Sequence, residues 1–108
     1  MTNPANELPF KLSSQEQLAT LLGIQACLVN GIPMTYITSK LEGFCNNDRE
    51  RFRWANVKAA VEARESFGVA VINSGLFSDT VGRIFAVVDD TEKALATAIE
   101  FVKAVIPR

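Results

Sequence analysis

Two thiols, a single tyrosine and scattered acids and arginines are the side chains of this chain with chemistry to offer, and there is no histidine among its 108 residues to serve them. Without imidazole the commonest general base and the commonest metal ligand are both missing. Cys45 stands two residues before Asn47, where a helix is expected to begin, and a thiol near a helix N-terminus can be acidified by the free N–H groups there. A Cys–His nucleophile is excluded, so a redox-sensing thiol competes with the plainer role of a partly buried small hydrophobe, which is the stronger expectation. Cys27 falls inside an apolar helix and reads as packing. Asp79, Asp89 and Asp90 carry the ligand type of a hard cation, but helix capping already accounts for Asp89, and no metal is expected. The stretch from Ser74 to Gly82 contains Ser78, Asp79 and Thr80 but no lysine, and matches neither a Walker loop nor a dinucleotide fingerprint. No cofactor is expected, and the reading leans away from an enzyme. Gln25 is the one polar residue on the main apolar stripe of the first helix. It is a candidate to line a ligand cavity with Cys27, Tyr36 and Trp54, since a buried amide needs partners.

The elements that would position these groups follow from periodicity and caps. Ser13 and Glu16 have capping-box spacing, and Leu18, Leu21, Leu22, Gln25, Leu28 and Val29 share one face of a helix that stops at Asn30-Gly31. Asn47 and Glu50 open a second helix running to about Ser66. Its wheel is apolar on two sides: Phe52, Ala55, Ala59 and Ala63 on one, Trp54, Val57 and Val61 on the other. A helix of that kind is usually held between two partners. Asp89 and Glu92 open a third helix, from about Asp90 to Ile106, with Leu95, Ala98, Ile99, Val102, Val105 and Ile106 on its stripe and Phe101 beside it. Between these helices, Thr35, Tyr36, Ile37 and Thr38 favour a strand over helix within Met34–Phe44. Val69–Asn73 and Val81–Val88 read as two short strands joined through a turn at Ser74–Thr80. The expected fold is α+β: three amphipathic helices on a small, mainly antiparallel sheet of two or three strands. Residues 1–12, with Pro4 and Pro9, are expected to form a tail or edge segment, and residues 13–108 one domain.

One local pattern carries a resemblance. In the run Gln15 to Ile32, Ala19 is small, Gly23 follows four residues later, and Ile24, Val29 and Ile32 are apolar. This spacing resembles the helix-turn-helix of the Cro and repressor type. The resemblance implies a turn at Gly23 and a recognition helix whose first residues include Gln25 and Asn30. It covers about a sixth of the chain and departs from the motif in having no basic residue from Ser13 through Ser39, and in placing Ala26, Cys27 and Leu28 at reading positions. A winged-helix variant would instead use the helix at Asn47, with Arg49 and Arg53 as contacts and the Ser74–Arg83 loop as the wing. Its cations lie on opposite sides of the wheel rather than in one stripe, which is the pattern of solvated flanks.

Composition narrows the choice. A net charge of −1 lacks the basic excess of a non-specific nucleic-acid binder, and a hydrophobic fraction of 48% is that of a folded globule. No apolar run approaches the roughly 18 residues of a membrane span, and Met1–Phe10 has no secretory pattern, so a cytoplasmic setting with reduced thiols is expected. The function expected is a non-catalytic interaction or ligand-binding module, homodimeric, with Trp54, Val57, Val61 and Phe101 as the partner face. A small DNA-binding regulator is the alternative.

Overall fold

The computed structural model describes residues 12–45 and 47–106. Its elements are six helices, α1 (Ser14–Val29), α2 (Met34–Phe44), α3 (Asp48–Glu62), α4 (Phe67–Ser74), α5 (Asp79–Val87) and α6 (Thr91–Val105), and no strand occurs among the described residues. The expected α+β fold is therefore corrected to an all-helical one. From α2 to α6 each helix packs on the next, and α6 returns to pack on α1, while α1 and α2 touch only lightly. Every helix contributes to one core, through Leu21, Ile24, Ile37, Trp54, Val57, Val71, Val81, Phe85, Leu95 and Val102.

The three helices expected from the sequence are present, and their caps explain their starts. Ser13 Oγ accepts the N–H of Glu16 at 3.1 Å, and Glu16 Oε1 accepts the N–H of Ser13 at 2.9 Å. These bonds hold the Glu16 carboxyl below its usual pKa, because they favour the ionised form. Asn47 accepts the N–H of Glu50 at 2.8 Å to open α3. The cap of α6 is Asp90 rather than Asp89, accepting the N–H of Lys93 at 3.1 Å.

The three segments read as strands are helices for identifiable reasons. In α2, Ile37 and Leu41 stand one turn apart, and the β-branched Thr38 is accommodated by donating its hydroxyl to the carbonyls of Met34 and Thr35 at 3.0 and 3.1 Å. In the segment from Val69, the hydroxyl of Ser66 accepts the N–H of Val69 at 3.1 Å, and Gly75 ends the helix with φ +70°. Ser78, expected in a turn, is the N-cap of α5, its Oγ accepting the N–H of Val81. Val81 and Phe85, four residues apart, are buried, whereas the alternating positions Arg83 and Val87 are exposed, which is helical spacing and not a strand's.

Glycine lets α4 and α5 approach closely. A Cβ on Gly68 would lie 2.5 Å from the carbonyl oxygen of Phe85, and one on Gly82 would lie 3.1 Å from Ile72 Cγ1. Phe67 and Phe85 close the same contact edge to face, with ring centroids 5.3 Å apart. The connection between the two helices is itself core: Leu76 and Phe77 are buried, and Phe77 meets Trp54 edge to face at 6.1 Å. Leu12, placed by expectation in the tail, is buried and donates its N–H to the Leu76 carbonyl at 2.9 Å, while 1–11 lie outside the described residues. The buried Gln17 locks this corner, donating to the Leu12 carbonyl at 2.8 Å and accepting the Ser78 N–H at 3.2 Å.

Candidate functional site

The face that distinguishes this molecule is the outer side of α1 together with α2. From Gln17 to Ser39 the sequence carries no charged side chain. The inner side of α1 supplies Gln17, Leu21 and Ile24 to the core. On its outer side Leu22, Ala26 and Val29 follow at helical spacing and face solvent, Val29 with 72% of its surface exposed. Outward sides of helices normally carry charges, and this one carries none.

Beside this ridge runs a groove of about 160 Å³ between α1 and α2, lined by Gly23, Ile24, Cys27, Tyr36, Ile37, Lys40, Leu41 and Phe44. Adding a Cβ to Gly23 would meet nothing within 4 Å, so the glycine leaves the α1 wall of the groove low. Tyr36 and Phe44 stand outward on α2 at 54% and 77% exposure. Lys40, one turn after Tyr36, lays its ammonium 5.3 Å from the ring centroid.

Of the residues expected to line a cavity, Cys27 and Tyr36 do share this groove, whereas Gln25 is half-buried on α1 and is not among its lining residues. The residues expected to form a partner face are buried or half-buried within the single chain. Trp54 and Val57 are buried in the core of the single chain, each about 1% exposed, and Val61 and Phe101 are half-buried against it. The second apolar side of α3 is covered from within the chain, α3 being packed on both α2 and α4. The opposite side of α3 meets no sheet: Phe52 is exposed, as are Ala59 and Ala63.

The residues expected to read DNA are also engaged or displaced. α1 runs unbroken through Gly23, so the turn implied by the helix-turn-helix resemblance is absent, and half of the wing loop, from Asp79, belongs to α5. Asn30 caps α1, its amide donating to the Ala26 carbonyl at 2.7 Å. Arg53 Nη1 donates to the Ser74 carbonyl at 2.7 Å, tying α3 to the end of α4. Arg49 is likewise engaged in an interaction of its own. Arg51 pairs with Asp48 at 2.8 Å and donates to the Cys45 carbonyl at 2.9 Å, and Lys58 reaches Glu42 at 3.5 Å. Together Arg51, Arg53 and Lys58 tie the α2–α3–α4 segment together.

The thiols differ in setting. Cys45 is buried, donates to the Leu41 carbonyl at 3.1 Å, and has its pKa pushed up to about 11. Burial is the main cause and the Glu50 carboxylate the next, with the Arg51 guanidinium opposing them. A thiol held protonated in this way is a poor nucleophile, opposite to the acidified thiol considered from its place before a helix. No group of three or more His, Cys, Asp or Glu side chains is gathered as a metal site among the described residues, Asp79, Asp89 and Asp90 included. No helix among them is long and apolar enough to cross a membrane.

Sequence reasoning set Leu22 and Val29 on the apolar stripe of the first helix and Ala26 at a DNA-reading position, and gave Phe44 no role, whereas all four are exposed and the buried side of α1 is Gln17, Leu21 and Ile24. The signal was present in the charge-free run from Gln17 to Ser39, which outlasts any one buried face. No protein-family model, curated protein or solved structure matches this chain.

Proposed function

We propose that this chain is a non-catalytic interaction module that pairs with a second copy of itself through the outer face of α1 and the groove toward α2. The observation that carries the reading is the uncharged, outward-facing ridge of Leu22, Ala26 and Val29 on α1, next along the helix surface to a groove whose lining is apolar but for Lys40 and the hydroxyl of Tyr36. A two-fold interface requires one patch to complement itself. A ridge next to a groove meets that requirement, because each copy seats its ridge in the other's groove, as helices pack ridges into grooves. The exposed rings of Tyr36 and Phe44 extend the apolar area, and Lys40, already placed over Tyr36, brings the only charge. A duplex reader has less support, since this face has a single cation to meet phosphates.

The face is modest. A 16-residue α1 is about 24 Å long, and two adjacent helices span about 20 Å, which sits at the small end of stable interfaces. Association in the micromolar range is therefore expected. Sedimentation velocity from about 1 to about 200 µM should show a shift from monomer to dimer. Ala26→Glu, which places a charge at the centre of the ridge, should stay monomeric over that range with an unchanged helical circular dichroism spectrum. A wild-type chain that keeps a monomer's mass at the highest concentration overturns the reading.

A further inference from the structure

On the other side of the α1–α2 turn, the ends of several helices meet around a cleft of about 490 Å³. Its volume lies within the range of ligand-binding pockets, and it is open to solvent rather than enclosed. Its floor is apolar: Leu28 from the end of α1, Met34 from the start of α2, Val61 from the end of α3 and Phe67 from the start of α4. Its charged side chains are all carboxylates, and they come from two separate elements: Glu65 from the α3–α4 connection, Asp90 and Glu92 from the opening of α6. No lysine or arginine is among the lining residues.

From this arrangement we infer that the cleft docks a basic amphipathic segment of a partner protein, with an apolar side chain seated on the floor and lysine or arginine on either side of it. The apolar floor without the acids would accept any greasy group, and the acids without the floor would be an ordinary solvated rim. Together they select an apolar anchor flanked by cations. Asp90 spends one oxygen on the Lys93 N–H and keeps its charge for an incoming cation, while Glu65 and Glu92 are exposed and commit no hydrogen bond to the fold among those described. The openness suits a chain segment that enters and leaves along the surface, and the carboxylates disfavour nucleic acid and anionic lipid alike. This inference is independent of the dimer, which uses the outer side of α1.

The test is fluorescence anisotropy on the full chain. One labelled synthetic peptide carries leucines at helical i, i+3, i+4 and i+7 spacing with lysines between. A second replaces the leucines by serine, and a third replaces the lysines by glutamate. The leucine–lysine peptide should bind saturably, and the other two should not. Glu65→Gln with Glu92→Gln should weaken binding by roughly three- to tenfold, the scale of two rim charges. Glu100→Gln with Asp48→Asn, which changes net charge equally but away from the cleft, should leave it unchanged. Equal weakening in both double variants, no weakening in the first, or serine-peptide binding as tight as the leucine peptide's would overturn the proposal. So would the absence of saturable binding.

Discussion

Replacing Gly68 by alanine tests the reason that two of these helices exist as a packed pair. The added methyl carbon would sit 2.5 Å from the Phe85 carbonyl oxygen, 2.9 Å from its carbonyl carbon and 3.2 Å from its Cβ. A tolerable C···O approach begins near ~3.3 Å, so α4 and α5 must part by about 0.8 Å at this point. The obstruction is backbone, which cannot rotate away as a side chain would. Parting the helices also loosens the edge-to-face contact of Phe67 with Phe85 and the seat of Ile72 against Gly82. Overpacking of this kind costs about 1–3 kcal/mol, and a weakened aromatic pair adds up to about 1 kcal/mol. Against this stands the helix-propensity gain of alanine over glycine, at most about 1 kcal/mol and less near a helix start. The expected net loss is about 1–3 kcal/mol, read as a lower urea midpoint at unchanged slope, or as a melting temperature lower by about 5–20 °C. Gly23→Ala is the companion measurement. Nothing lies within 4 Å of that Cβ and the residue is mid-helix, so a gain of about 0.5–1 kcal/mol is expected. If Gly68→Ala is neutral or stabilising, the close-approach argument fails; if both variants destabilise, glycine is serving some purpose other than space.

Two further predictions concern residues whose roles the fold reassigns. Trp54→Ala should cost about 3–5 kcal/mol of folding stability, a large share of a small domain's total, because the indole is buried and packs on Phe77. Urea unfolding reads this directly, and a variant that unfolds like wild type but fails to associate would return Trp54 to a partner face. For Cys45, the thiol is protonated in both folded and unfolded states below its ordinary pKa of 9.0, whereas above it the unfolded thiol ionises first. Its contribution to stability is therefore complete below pH 9 and lost as the pH rises from 9 through about 11, and Cys45→Ser should flatten the fall of the urea midpoint in that window. At pH near neutrality a thiol-specific reagent should label the half-buried Cys27 well before the buried Cys45, and labelling of Cys45 at an equal rate would refute the burial argument.

Part of the candidate site was legible in the residues. Cys27 and Tyr36 were expected to line one cavity and both line the groove, although Tyr36 was expected on a strand and stands on a helix instead. Gln25, two residues before Cys27, points to a different side of α1, a distinction that 100° per residue makes but a list of polar residues on an apolar stripe does not. Trp54, Val57 and Val61, expected on a partner face, lie in or against the core for a related reason. The sequence shows that α3 has two apolar sides, but whether the second is covered by another copy or by α4 and the Leu76–Phe77 connection depends on where the rest of the chain goes.

The sequence by itself determined the three long helices, through groups that act within a few residues of one another. Ser13 with Glu16, Asn47 with Glu50 and the Asp90 cap satisfy orphan N–H groups locally, and segments of 15 or 16 residues are longer than ordinary strands. It also carried the charge-free run that marks the outer face of α1. Only the tertiary structure decided α4 and α5. Segments of eight and nine residues rich in valine and isoleucine are too short to be stable helices alone, and their apolar runs fit a strand as well as a helix. What settles them is packing: Gly68 and Gly82 let the two helices approach closely, Phe67 finds Phe85, and the connection between them carries Leu76 and Phe77 into the core. Those energies come from residues ten or more positions apart, and no local pattern contains them.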